Sequence, residues 1–252
     1  ICDQPETTIR KVANLLVHPA EELSFDYIGL HHLGWIQDVR YDNRSKMSKL
    51  LEALESREEE GFDFDLIELF RMIPTEATGK FFHRAEILKK QQACSRFRAE
   101  VLYEAELQIL KLYEDKHLCE VPDLTRQRNT VWYEESLLPV IRSLEGAGAK
   151  DHILCVRNGE SIRDLPEDCS VEIPVTVCKT GLKPKKAGSL PRFLKGLYLG
   201  AKESERLAIE AVVHRSYEYA LQSLTINPFV SSMETAKQFL DKILKDEKLE
   251  LY

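Results

Sequence analysis

The sequence predicts an α+β fold that is mostly helical and contains a small mixed or antiparallel sheet. Apolar residues recur at helical spacing over most of the chain, whereas strand-like segments cluster in two regions, residues 24–41 and 152–177. No G-x-G-x-x-G turn joins a strand to a helix, so the fingerprint of a dinucleotide-binding domain is missing. The length of 252 residues allows one large domain or two small ones.

The first half of the chain predicts a helix, then a pair of strands, then more helices. Residues 5–17 begin with proline and repeat apolar residues every three or four positions, which is typical of an amphipathic helix. Residues 24–30 and 35–41 are predicted strands, with His31 and His32 between them and Gly29 and Gly34 as breaks. Further helices are expected over residues 47–54, 65–72 and from 84 to about 113.

The second half predicts another strand pair and a helical tail. Residues 152–157 and 171–177 are expected to pair across the loop 158–168, and residues 181–188 to form a turn with a basic tip. Helices are predicted over residues 193–200, 204–224 and 233–244. The middle one should bury a face that is formed by Leu207, Val212, Tyr217 and Leu221.

Composition excludes two classes of partner. The net charge of −7, with basic residues scattered among acidic ones, gives no basic stripe for a nucleic acid. No apolar run approaches the ~18 residues that a membrane-spanning helix needs. Six irregularly spaced cysteines do not form a disulfide framework, so we expect free thiols and a soluble, cytoplasmic protein.

Residue chemistry suggests one candidate metal site. The thiolate of Cys2 and the imidazoles of His31 and His32 suit a transition metal, if the fold brings the two segments together. Their spacing of about thirty residues matches no established metal motif. A small buried Cys2 with ordinary core or surface histidines is the alternative.

The same segments resemble a known family. Ile1-Cys2-Asp3-Gln4-Pro5 and Gly29-Leu30-His31-His32 are similar to the C-N/D-x-P and G-L-N-H motifs of glycoside hydrolase family 4. In the tail, Gly181-Leu182-Lys183-Pro184 and Thr225-Ile226-Asn227-Pro228 stand in the order of that family. These enzymes are NAD- and manganese-dependent 6-phospho-glycosidases, and the 6-phospho-β-glucosidase branch matches best.

The resemblance implies the architecture and the cofactors. The fold should be like the carboxyl-terminal domain of lactate and malate dehydrogenases, with the amino-terminal Rossmann domain absent from this chain. Residues 1–252 would be the catalytic, metal-binding and oligomerisation domain, inactive alone, with NAD bound mainly by the missing domain. Manganese or another divalent metal, a phosphorylated sugar and a homodimer or homotetramer are also implied.

The resemblance also assigns a metal pair and a catalytic base. Cys2 and His32 would bind the metal, while His31 stands where the family has asparagine and should alter a contact to the sugar. Tyr133 would be the base that removes the hydrogen from carbon 2 after NAD has oxidised the hydroxyl at carbon 3. Arg128 would stabilise the phenolate of Tyr133. Residues 129–130 are Asn and Thr where the family motif has two glycines.

Arg157 and Asn158 are the remaining candidates for substrate binding. They match the first two residues of an R-N-N-G-A-I motif, whose next positions here are Gly159 and Glu160. An arginine suits the sugar phosphate because its planar guanidinium donates two parallel hydrogen bonds.

The positions at which this sequence differs from the family motifs leave alternative functions open. One is a diverged, non-catalytic relative that serves binding or oligomerisation, and another is a 6-phospho-α-glucosidase or α-galactosidase of the same family. A hydroxy-acid dehydrogenase is the third, although no catalytic histidine with an acidic partner stands out.

Overall fold

The computed structural model describes residues 4–56, 60–127 and 132–252, and it confirms the α+β class. In this part of the chain, one antiparallel sheet has the order β3-β2-β1-β6-β5, with β4 paired to β2 and β7 to β6. The strands are β1 Leu23–Leu30, β2 Leu33–Tyr41, β3 Arg44–Ser45, β4 Ile73–Pro74, β5 Lys150–Arg157, β6 Ser170–Cys178 and β7 Gly181–Pro184.

Helices cover the sheet and extend beyond it. The α-helices are α1 Gln4–Leu16, α2 Met47–Leu54, α3 Phe64–Phe70, α4 Gly79–Phe82, α5 Arg84–Gln92, α6 Arg98–Leu112, α7 Leu138–Leu144, α8 Arg192–His214, α9 Tyr217–Ile226 and α10 Met233–Asp246. A π-helical turn, Tyr133–Leu137, precedes α7. None of the described helices is both long and apolar enough to cross a membrane.

Two apolar cores lie on the two faces of the sheet. Alternate residues of β6, from Val171 to Val177, pack with Leu194 and Tyr198 of α8. On the other side, α1 and α2 pack against Tyr27 and Ile36. The alternation of side chains along each strand directs them to opposite faces, so each helix layer meets its own apolar set.

Three predicted helical boundaries differ from the structure. The predicted helix 65–72 ends at Phe70, where Arg71 takes a left-handed φ of 55°, and Ile73 then pairs with β2. The predicted stretch 84–113 is divided into α5 and α6 by residues 93–97. In the tail, α8 runs unbroken through Gly196 and Gly200, because packing on the sheet outweighs the weak helix propensity of glycine.

Two further predictions are corrected. Residues 181–184 form the edge strand β7, so the basic turn is shorter than predicted. Val212 is 77% exposed, so the predicted buried face of the middle helix is wrong at that position. The five cysteines in the described part of the chain carry free thiols, as predicted.

Candidate metal and active site

The two histidines form the turn between β1 and β2. Leu30 pairs directly with Leu33, so His31 and His32 make a two-residue hairpin loop. His32 has a φ of 64°, in the left-handed region that residues other than glycine seldom adopt. Both residues are exposed, and the centroids of their rings lie 4.0 Å apart. The fold therefore presents two imidazoles at one end of the sheet, as predicted.

A buried tyrosine of α8 holds this turn in place. The Tyr198 hydroxyl donates hydrogen bonds to the carbonyl oxygens of Leu33 at 2.9 Å and Ile28 at 3.3 Å. Burial, with a smaller effect of Glu172, raises the pKa of Tyr198 well above its ordinary value, so the hydroxyl remains a donor. On the neighbouring segment, the Gly34 N–H donates to Thr78 Oγ1 at 2.9 Å.

The sheet register brings two more potential ligands to the turn. Gly29 of β1 pairs with Glu172 of β6, which in turn pairs with Cys155 of β5. Cys155 Sγ lies 3.8 Å from His31 Nδ1 and 3.6 Å from Glu172 Oε1. Burial, reinforced by the Glu172 carboxylate, raises the pKa of the Cys155 thiol to about 11. Three ligand types, from the hairpin turn and the strands β5 and β6, thus meet at one point.

Tyr27 orients the carboxylate of this group. Its hydroxyl donates to Glu172 Oε2 at 2.5 Å, and Glu172 is completely buried. The ring fits because Gly29 and Gly34 lack side chains: a Cβ at Gly34 would lie 1.7 Å from Tyr27 Oη. The two glycines are therefore paired inside β1 and β2, and the prediction that they break the strands is wrong.

Tyr133 begins the π-helical turn before α7. Its side chain is 56% exposed, and its ring contacts Trp132 edge-on with centroids 4.6 Å apart. The next two residues, Glu134 and Glu135, line a cleft of about 640 Å³ beside the start of β1 and β5. Glu135 also forms an ion pair with Arg10 of α1. Arg128, the predicted partner of Tyr133, lies outside the described residues, and so does Cys2.

Arg157 and Asn158 stand at the end of β5 that carries Cys155. Arg157 is exposed, and its Nε donates to the carbonyl oxygen of Glu167 at 3.3 Å. Asn158 is 1% exposed. Its amide donates to the carbonyl oxygens of Ile162, Leu165 and Pro166 and accepts from the Ile162 N–H. The asparagine thus fixes the loop that follows Arg157.

Sequence reasoning did not identify Tyr27, Cys155 or Glu172 as site residues. A charged residue within the apolar strand 171–177 is the one signal that points to Glu172, because a buried carboxylate needs partners. Tyr27 and Cys155 look like ordinary strand residues. Their roles depend on the pairing of β1, β6 and β5.

Comparisons with known proteins agree with this architecture. Residues 27–230 match the model of the family 4 glycosyl hydrolase C-terminal domain. A probable 6-phospho-β-glucosidase of Bacillus subtilis is 29% identical over 260 residues, which cover 98% of this chain and 59% of that protein. The chain therefore spans about three fifths of the length of this relative.

Solved structures of phosphoglucosidases superpose on this chain over its whole length. The 6-phospho-β-glucosidase of Thermotoga maritima, with manganese, NAD+ and glucose-6-phosphate, superposes with a TM-score of 0.85 at 27% identity. A 6-phospho-α-glucosidase from gut microorganisms, with NAD and glucose-6-phosphate, superposes with a TM-score of 0.84 at 27% identity. Each match covers the whole of this chain and 60% of the other.

Proposed function

Because this chain belongs to family 4 of the glycosyl hydrolases, whose C-terminal domain it matches, we propose that the protein hydrolyses 6-phospho-β-glucosides. The observation that carries the proposal is the match to 6-phospho-β-glucosidases along nearly the whole chain. Residues 1–252 would form the catalytic and metal-binding domain, and NAD would be bound mainly by residues outside this chain. Phosphorylated disaccharides such as cellobiose 6-phosphate are the proposed substrates.

His32 and Cys2 are the proposed ligands of the divalent metal. His32 fits this role in the described structure, because its exposed imidazole stands on a turn that Tyr198 and Thr78 hold rigidly. Imidazole and thiolate are both established ligands of divalent transition metals. When bound, manganese supplies a Lewis acid and NAD a hydride acceptor for the carbon 3 hydroxyl.

Tyr133 is the proposed base at carbon 2, and Arg128 is its proposed electrostatic partner. Exposure of the Tyr133 side chain supports this role, since a base must be able to reach the substrate. The phenolate would take the proton from carbon 2 as the bond to the leaving group at carbon 1 breaks. Tyr133 would return this proton to carbon 2 as water adds at carbon 1. Return of the hydride from the cofactor to carbon 3 would then complete the cycle.

Arg157 is the proposed contact to the sugar 6-phosphate. Its guanidinium is exposed at the end of β5. Among the described residues its hydrogen bond to Glu167 uses Nε, so the terminal nitrogens can face a ligand. Asn158 would support substrate binding by fixing the adjacent loop, since its amide already serves four backbone groups. His31 would replace an amide contact to the sugar with an imidazole contact.

The decisive experiment measures hydrolysis of p-nitrophenyl β-glucoside 6-phosphate by the full-length protein, with NAD and manganese each omitted in turn. We expect activity only with both cofactors. Tyr133→Phe should abolish turnover and also the exchange of the carbon 2 hydrogen with deuterium from solvent. Tyr113→Phe, at a tyrosine that is 55% exposed just after α6, is the matched control and should retain both.

The α-anomer distinguishes the second candidate function. The similarity to a 6-phospho-α-glucosidase structure at the same identity favours testing it in parallel. Hydrolysis of only p-nitrophenyl α-glucoside 6-phosphate would replace the β-specific proposal. No turnover of either anomer by a folded, NAD-binding protein would instead indicate the diverged, non-catalytic relative.

We also propose a cytoplasmic homo-oligomer. Free thiols at the five described cysteines are typical of proteins from reducing compartments. Exposed apolar side chains on α6 and α8 support association with another subunit, because stripes of this kind are seldom left in water. Tyr103, Leu107 and Leu110 form one stripe, and Ile209, Val212 and Val213 form the other.

A further inference from the structure

His31, Cys155 and Glu172 form a compact group, and the proposed reaction gives no role to Cys155 or Glu172. The candidate ligand atoms, one from each residue, all lie within 4.8 Å of one another. The residues come from the hairpin turn, β5 and β6, so sheet pairing fixes two of them and the turn fixes the third.

The distances match the spacing of ligands around a tetrahedral ion. With metal–sulfur bonds of about 2.3 Å and metal–nitrogen or metal–oxygen bonds of about 2.1 Å, neighbouring tetrahedral ligands lie roughly 3.6 Å apart. Cys155 Sγ is 3.6 Å from Glu172 Oε1 and 3.8 Å from His31 Nδ1. A cation could therefore bind between the three atoms with only small side-chain adjustments.

Tyr27 provides the outer support that metal sites commonly have. Its hydroxyl donates to Glu172 Oε2, so Oε1 is left to face the thiol. A hydrogen bond to the second oxygen orients a ligating carboxylate and limits its motion. Gly29 and Gly34 keep the space for the Tyr27 ring, so this support is built into the strands.

We propose that His31, Cys155 and Glu172 bind a thiophilic divalent cation, with Zn²⁺ the best match, at a site distinct from the manganese pair. Zinc takes sulfur, nitrogen and oxygen ligands at tetrahedral positions, whereas manganese prefers oxygen-rich sites. Three protein ligands leave a fourth position for water or a substrate oxygen. The bound ion would link the hairpin turn to β5 and β6. This proposal does not depend on the proposed hydrolase activity.

Cobalt(II) provides the test, because it replaces zinc in such sites and its bond to a thiolate gives charge-transfer absorption in the near ultraviolet. Cobalt titration of the full-length protein should develop this absorption, and Zn²⁺ should abolish it while Mn²⁺ at equal concentration should not. In the Cys2→Ser background, which removes the proposed manganese thiolate, Cys155→Ser should lose the absorption. His31→Asn should weaken cobalt binding at least tenfold, and Tyr27→Phe by about 10- to 100-fold through the outer hydrogen bond.

Two further variants make the result decisive. Cys2→Ser removes the thiolate of the proposed manganese pair and should keep the absorption, and the exposed Cys94→Ser is the control for an unrelated thiol. Absorption that survives Cys155→Ser and disappears in Cys2→Ser would overturn the proposal, whatever the enzyme activity. Because His31 is exposed on a turn, His31→Asn should fold normally. Zn²⁺ should raise the thermal midpoint of the wild type more than that of His31→Asn.

Discussion

Single residues around the hairpin turn are constrained by contacts that local sequence patterns do not reveal. Gly29 and Gly34 look like strand breaks, yet they lie paired within the sheet because the Tyr27 ring occupies the space above them. Asn158 looks like a substrate ligand, and its buried amide organises a loop. The sequence identifies these glycines and this asparagine, but the fold determines which atoms each of them contacts.

Gly34→Ala should destabilise the protein by at least about 2 kcal/mol. The added Cβ would lie 1.7 Å from Tyr27 Oη, so the tyrosine must move and Glu172 would lose a buried hydrogen bond. Urea unfolding measures the change in the free energy of unfolding. Gly196→Ala is the control, since its Cβ would meet no atom within 4 Å and should stabilise α8 by about 0.5–1 kcal/mol. Equal stability of the two variants would contradict this account.

His152 should make the fold sensitive to acid. Burial, with a smaller effect of Lys150, lowers its pKa below 6.5 against the opposing effect of Asp151, and its Nε2 lies 3.2 Å from Ser143 Oγ. Below pH 6.5 the unfolded chain therefore binds a proton that the folded protein excludes, so stability falls as pH falls until the lowered folded pKa is passed.

The loss from this one group should reach at most about 1.4 kcal/mol per pH unit. Urea unfolding at a series of pH values from about 7.5 to about 5 measures this loss as a change in the free energy of unfolding. His152→Gln should flatten the dependence, and His117→Gln, at an exposed histidine, should leave it unchanged. If the free energy of unfolding of His152→Gln falls with pH as steeply as that of the wild type, other groups cause the acid sensitivity.

At the scale of elements, the helices of the tail begin and end at capping residues and not at the glycines of the sequence. The helix α8 passes through two glycines and ends only where Arg215 adopts a φ of 49°. Ser216 then caps α9 by accepting a hydrogen bond from the Tyr219 N–H. The division of the tail into helices is therefore set by one left-handed residue and one N-cap.

Ser232→Ala should cost about 1 kcal/mol of stability. The Ser232 side chain accepts a hydrogen bond from the Thr235 N–H at 3.1 Å and so caps α10. Thermal unfolding followed by circular dichroism measures the loss. The neighbouring Ser231→Ala removes a hydroxyl that lies 3.3 Å from Thr235 Oγ1 without capping the helix, and it should have little effect. A larger loss in Ser231→Ala would show that the cap is not at Ser232.

At the scale of the whole molecule, the apolar stripes on α6 and α8 are among the apolar surfaces that the described part of the fold leaves exposed. The α6 stripe is at least half exposed at Tyr103, Leu107 and Leu110, with exposed fractions of 62%, 50% and 55%. Apolar residues at this spacing are otherwise buried in a core or an interface. This exposure is consistent with the proposed homo-oligomer.

The double variant Leu107→Glu, Leu110→Glu should shift the full-length protein toward a smaller assembly. Charges placed in an apolar interface cannot be solvated there, so association should weaken. Size-exclusion chromatography with light scattering measures the mass. Glu106→Gln, at an exposed polar position of the same helix, is the control and should keep the wild-type mass. An unchanged mass for the double variant would exclude the α6 stripe from the subunit contact.

The sequence by itself determined the fold class, most helices and strands, the position of the histidine pair between two strands, and the family. These follow from periodicity and short motifs, which are local properties of the chain. Only the tertiary structure decided that His31, Cys155 and Glu172 meet, since 124 positions separate the first two and 17 the last two. That meeting depends on the register of nonlocal strand pairs, and the register arises from packing the whole sheet rather than from any one segment.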